Sequence, residues 1–231
     1  MVKVNKKIAF ILIFIGILFV SNAFSDIKSD IYSKLKCCPC KESFETCTCP
    51  EAKQMKAYIE GLLEAGLGKD EIFYKIAKKF TLKVIIDEKV KSDVEKRLLK
   101  EAGDKRPEVS IEPIVFDFGK VSKKQIIISK TFKVINKGTA PLAIKNVKSL
   151  CSCVSVSLTA NKIKSHTFNI SGAPKGWQVK LKPQESAQLD IIIDLLHSSV
   201  GIGKLIREVQ VTTDDPIYPE VFVRVEADVG D

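Results

Sequence analysis

Apolar positions follow two different rhythms along this 231-residue chain. Between Asp26 and Gly103 they recur at helical spacing. Pro50 suits the first turn of a helix, where its missing N–H costs nothing. Met55, Ile59, Leu62 and Leu63 then fall on one face. In "EAGLGKDE", Gly66 and Gly68 can end that helix, and Asp70 can cap the next. Ile72, Phe73, Ile76 and Phe80 stripe a second helix, "TLKVII" reads as a short extended piece, and Val90, Val94 and Leu98 mark a third helix over Asp87 to Ala102. Beyond the polar breaker "GDKRPE" the period becomes two. Phe132 and Val134, then Leu189, Ile191 and Ile193, then Val209, Val211 and Thr213, and finally Val221, Val223, Val225 and Ala227 each line one strand face. Short alternating strands with turn signals predict an antiparallel β-sandwich. The fold class is therefore α+β in two domains, a small helical bundle over 26–103 followed by an Ig-like sandwich over 104–231.

The first 25 residues stand outside both rhythms. Lys3, Lys6 and Lys7 precede an unbroken apolar run from Ile8 to Val20, and Ala23 and Ser25 supply small residues before Asp26. This is the pattern of a secretory signal peptide, the run being short for a membrane span. Its alternative is an uncleaved anchor held in the inner membrane by residues 8–20. Either form places the remainder in a periplasmic or other extracytoplasmic compartment.

Composition adds little until the cysteines are reached. Without the three signal lysines, 34 of the 37 basic residues face 28 acidic ones, so the formal +9 falls to +6. The lysines alternate with acidic residues and no basic stretch is interleaved with aromatics, which argues for a solvated surface and against nucleic-acid binding. His166 and His197 sit in no nucleophile or metal motif, "GIG" at Gly201 to Gly203 lacks a phosphate-loop setting, and Asp214-Asp215 before Pro216 reads as a turn. Hydrolase and nucleotide-binding functions are disfavoured. The stretch Leu158 to Leu181, with Trp177, interrupts the strand rhythm as an insertion or long hairpin, Trp177 packing over the end of the sandwich or serving a partner-binding loop.

Five of the seven cysteines lie between Cys37 and Cys49. Cys37 and Cys40 form a C-x-x-C, in which one thiolate can attack and its neighbour resolve the mixed disulfide. Lys36 and Lys41 flank the pair and favour a thiolate. Cys37, Cys40, Cys47 and Cys49 together offer four soft ligands, which would suit zinc, Cu(I) or an iron–sulfur cluster and would stiffen a thin core. Plain disulfide staples are the third alternative, their connectivity open. Cys151 and Cys153 would share one face of an extended strand with Cα atoms roughly 6.6 Å apart, so direct bridging needs a bulge or turn. Buried reduced thiols, a shared metal ligand and a redox pair all remain open for them.

Two resemblances cover nearly all of the mature chain. Leu35-Lys36-Cys37-Cys38-Pro39-Cys40, followed by "MKAYIEGLLEAGLGKDEIFYKIAKKFTLKVI", resembles the N-terminal domain of the cytochrome c biogenesis protein CcmH. Lys36 stands where that family has arginine, Phe80-Thr81 where it has Tyr-Gly, and Cys38, Cys47 and Cys49 are additional. The resemblance implies holding or reducing the thiols of apocytochrome c, with Cys37 or Cys40 attacking and the other resolving. Maturation components would then be protein partners. The second half resembles the bacterial Ig-like domain-of-unknown-function family fifteen seventy-three, related to abnormal-spindle/Hydin domains. Its marks here are Phe116-Asp117-Phe118-Gly119, "FKVINKG", Cys151-Ser152-Cys153 and Pro183-Gln184-Glu185-Ser186, where the family has Cys-Gly-Cys and "PGES". That family implies a binding or scaffolding module. The expected function is a thiol–disulfide accessory factor in cytochrome c or envelope protein maturation, and its alternative is a non-enzymatic scaffold whose cysteines hold zinc or copper.

Overall fold

The computed structural model of the protein describes residues 26–37 and 43–231. Residues 1–25, where the sequence predicts a signal segment, lie outside them, and among the described residues no helix is long and apolar enough to cross a membrane. The chain divides between Leu98 and Leu99 into two compact units.

The first unit is helical: α1 covers residues 26–33, and α2 (Pro50–Glu64), α3 (Lys69–Phe80) and α4 (Glu88–Ala102) follow. Proline takes the first turn of α2, and the buried face is Ala52, Met55, Ile59 and Leu63, with Leu62 at its margin. The helix ends in a Schellman motif. Gly66 turns left-handed at φ +76, its N–H reaches the Leu63 carbonyl at 2.9 Å, and the Leu67 N–H reaches Leu62 at 3.2 Å. The N-cap of α3 is Gly68, with no side-chain cap, and the expected cap Asp70 lies inside the first turn. There its charge still complements the helix dipole. Ile72, Phe73, Ile76 and Ala77 face the core. "TLKVII" departs from the extended expectation, because Leu82–Val84 tightens into a 3₁₀ turn. Only Ile85 behaves as a strand, bridging to Leu35 through Lys36 N–H to Val84 O at 2.8 Å and Ile86 N–H to Lys34 O at 2.9 Å. That bridge fixes the chain immediately before Cys37.

The second unit is a sandwich of two five-stranded sheets, in the orders β1-β3-β8-β5-β6 and β2-β10-β9-β4-β7. Its strands are β1 (Val109–Glu112), β2 (Val115–Ser122), β3 (Ile127–Asn136), β4 (Leu142–Ser149), β5 (Val154–Ala160), β6 (Ile163–Lys164), β7 (Val179–Leu181), β8 (Ser186–Asp194), β9 (Gly203–Thr213) and β10 (Glu220–Gly230). Period-two alternation sends Phe132 and Val134 of β3 and Leu189, Ile191 and Ile193 of β8 inward. Val209 and Val211 of β9 and Val223 and Val225 of β10 meet them from the facing sheet. One pairing departs from the antiparallel expectation, since β2 runs parallel to β10. The pair is interrupted where Asp117 opposes Glu226 and Lys120 opposes Asp228, which gives β2 the extra residue. Gly119 supplies the left-handed φ of +67 that this bulge needs, and Asp117 Oδ1 accepts its N–H at 2.8 Å. This is the physical content of "FDFG".

"FKVINKG" has a similar explanation. Asn136 lies on the inward face of β3, fully buried. Its Nδ2 donates to the carbonyls of Ala140 (2.8 Å) and Leu181 (3.0 Å), and its Oδ1 accepts from Gly138 (3.0 Å) and Glu108 (3.4 Å). A Cβ on Gly138 would stand 2.3 Å from the Arg106 carbonyl oxygen, so only glycine fits the close approach. The interrupting stretch after β5 is a short β5–β6 hairpin followed by a loop pinned at Phe168, which bridges back to Val156. Trp177 packs edge-on against Phe168 with ring centroids 4.8 Å apart. Asp215 accepts the N–H groups of Ile217 (2.8 Å), Tyr218 (3.0 Å) and Val109 (2.8 Å), so this buried carboxylate is a turn-former.

Candidate functional site

Thiols gather at two places, one in each unit. In the helical unit, Cys37 follows the Leu35–Ile85 bridge, Cys47 ends the turn at Phe44 to Thr46, and Cys49 is the N-cap of α2. Their sulfurs all lie within 4.8 Å of one another. Cys37 Sγ and Cys49 Sγ are 3.2 Å apart, and Cys47 Sγ and Cys49 Sγ are 3.5 Å apart. Four thiolates around zinc at about 2.3 Å would stand about 3.8 Å from one another, so the spacing is near that of a tetrahedral face. Cys37 and Cys47 are buried, at 2% and 1% exposure. Cys38 and Cys40 lie outside the described residues.

The surroundings hold this cluster in place. The Ala52 N–H donates to Cys49 Sγ at 3.4 Å, so the same sulfur caps α2 and sits at the positive end of its dipole. Lys56, in the second turn of α2, donates its ammonium to the carbonyls of Glu45 (2.7 Å) and Cys47 (2.8 Å). Beneath that turn Phe44 meets Tyr32 edge-on at 5.1 Å. Three sulfurs from two backbone segments, Cys37 from one and Cys47 and Cys49 from the other, thus converge with a protein N–H already bonded to one of them.

In the sandwich the strand placement expected for Cys151 and Cys153 gives way to a turn. Val154 N–H donates to the Cys151 carbonyl at 3.1 Å, closing a four-residue turn where the chain leaves β4 in one sheet and enters β5 in the other. The Cys153 N–H donates to Cys151 Sγ at 3.3 Å. Cys153 is buried, at 2% exposure, and Cys151 is half-buried. Residues that sequence reasoning did not connect with the pair close around it. Arg207 Nε of β9 donates to Cys153 Sγ at 3.0 Å, and its Nη2 donates to the Ser199 carbonyl at 2.8 Å. Ser199 Oγ lies 3.4 Å from Cys151 Sγ and 2.9 Å from His197 Nδ1. Leu205, Arg207 and Val209 alternate inward along β9, so a charged residue on an apolar face was the available signal of a buried partner.

The two sulfurs differ in acidity. Burial pushes the Cys153 thiol up, and its hydrogen bond with Cys151 adds to this against the opposing pull of Arg207. Burial acts upward on Cys151 as well, but hydrogen bonds from the Cys153 thiol, the Ser199 hydroxyl and the Cys153 amide, with the Arg207 charge, hold it below the ordinary thiol value. The accessible sulfur is the more acidic one.

The family model described as "Protein of unknown function (DUF1573)" matches residues 109–171, which run from β1 into the loop after β6. No curated protein matches the sequence. A protein of unknown function from Porphyromonas gingivalis W83 aligns over 55% of this chain at 17% identity with a TM-score of 0.39, and this chain spans about half (49%) of its length. The seventh ASH/PapD-like domain of human CEP192 aligns over 56% of this chain and 89% of its own, at 12% identity and TM-score 0.35. The YadV chaperone aligns over 53% of this chain and 52% of its own, at 11% identity and TM-score 0.31.

Proposed function

We propose that this is an exported, non-enzymatic binding protein whose helical unit holds one thiophilic cation, zinc in the first place, through Cys37, Cys47 and Cys49, the sequence offering Cys40, outside the described residues, as a fourth ligand. The observation that carries this reading is the convergence of three sulfurs within 4.8 Å of one another. Cys37 and Cys47 are buried and Cys49 is half-buried, and ligands to a held ion need no opening to a partner. Buried soft ligands with a backbone N–H on one sulfur match a closed structural site. A helical unit of this size has a thin core, and a bound cation would add folding free energy to it. The sandwich is the docking half, with Ile126, Ile127 and Ile163 exposed on its surface.

A second reading is thiol exchange with apocytochrome c or other envelope proteins during their maturation. It draws on the 3.2 Å separation of Cys37 and Cys49, which can close to a disulfide with little movement. Metal analysis with a thiol count, on protein purified without chelator, separates the two. The expected result is stoichiometric zinc with protected thiols, lost in Cys47→Ser. Metal-free protein with a reducible disulfide at Cys37 overturns the cation reading and favours exchange, and a Cys37→Ser variant that leaves apocytochrome thiol exchange unchanged removes the second.

A further inference from the structure

The geometry points to a second, independent thiol site: Cys151 and Cys153 of the sandwich form a reactive dithiol that reduces a disulfide, with Cys151 attacking and Cys153 resolving. The arrangement follows from the β4–β5 turn. It draws the two residues out of extended spacing, leaving Cys151 half-buried and Cys153 buried. Arg207 of β9 donates to Cys153 Sγ, and Ser199 reaches Cys151 Sγ from the β8–β9 loop. A structural cysteine in an apolar core needs neither partner. A pair that must ionise in sequence uses both.

In the first step the Cys151 thiolate attacks one sulfur of the incoming disulfide. A mixed disulfide forms and one substrate thiolate leaves. Cys153 then loses its proton, its sulfur attacks Cys151 Sγ, and the second substrate thiolate leaves as the Cys151–Cys153 bond closes. Two electrons pass from the dithiol to the substrate disulfide, and the protons of the two cysteines end on the two released thiols. Arg207 stabilises the Cys153 thiolate during the second step.

The disulfide class is shared by small and polypeptide substrates. Leu150, Leu196 and Ile202, on the turn and loop that build the site, are exposed at 49%, 59% and 60%. Apolar surface beside a reactive sulfur favours a polypeptide over a small polar disulfide. The test uses the full chain, reduced and then exposed at neutral pH to oxidised glutathione or to a leucine-flanked peptide disulfide. The peptide bearing Cys151 and Cys153 is read by mass. Wild type should gain an intramolecular disulfide, Cys153→Ser should accumulate the adduct on Cys151, and Cys151→Ser should leave Cys153 unmodified. Faster transfer from the apolar peptide assigns a polypeptide substrate, and transfer only from glutathione assigns a small one. Should a variant fail to fold, alkylation of reduced wild type decides alone, with Cys151 expected to react about tenfold faster than Cys153. Equal alkylation rates, or a wild-type pair that stays reduced with both disulfides, overturn the proposal.

Discussion

At the scale of single residues, the departures from the two family patterns are informative about the backbone. Thr81 stands where the first pattern has glycine, and its φ is +75 with ψ 153, a region that β-branched side chains rarely occupy. Gln184 stands at the glycine of "PGES", and its φ is +65. Ser152, the substitute for glycine between Cys151 and Cys153, is not among the described residues with positive φ. Only the first two carry strain. Thr81→Gly and Gln184→Gly should each stabilise the protein by about 1 kcal/mol, read from urea unfolding midpoints. Ser152→Gly should confer no such gain. The lettering of the motifs was visible in the sequence, but which glycines answer a conformational need becomes visible only in the dihedrals.

Elements were the most legible level, because burial imposes its period directly on the sequence. The inward residues of β3, β8, β9 and β10 are those that alternation selects, and the helical stripes hold except at Leu62, Phe80 and Val90, which are only half-buried. The misplacements occur where a tertiary contact overrode local preference. Leu82–Val84 has the β-branched look of a strand, but Lys36 and Lys34 capture the backbone groups around it after a 3₁₀ turn. Cys151 and Cys153 lie at a passage between sheets, which no periodicity announces, and Arg207 reaches them across more than fifty residues of sequence. Asn136 marks a third case, a polar residue on an apolar face that is legible as a motif and explained by four hydrogen-bonding partners. Asn136→Ala should leave those backbone groups unpaired and destabilise the sandwich by about 3 kcal/mol, seen as a lower thermal midpoint with the strand signature intact below it.

For the whole molecule, two compact units with different means of support predict separable responses. On the proposed cation reading the helical unit draws support from its sulfur cluster, while the sandwich buries a continuous apolar layer from nine of its ten strands. A strong chelator should therefore lower the helical transition in differential scanning calorimetry and leave the β transition in place, and Cys49→Ala should do the same while also uncapping α2. A single transition that shifts as one would contradict that separation. The placement of β10 has a consequence for timing. It is the last strand in sequence yet an interior one, flanked by β9 and by β2, with pairings that reach back from Arg224 to Val115. Until residues 220–230 arrive, β2 has no partner in its sheet, while β1 with β3 and β4 with β7 can already pair. Such long-range closure folds in milliseconds to seconds and begins late. In the growing chain β2 is therefore a bare strand edge until β10 is made, and a chain cut before residue 220 should expose that edge to pairing with other copies, read as aggregation by light scattering.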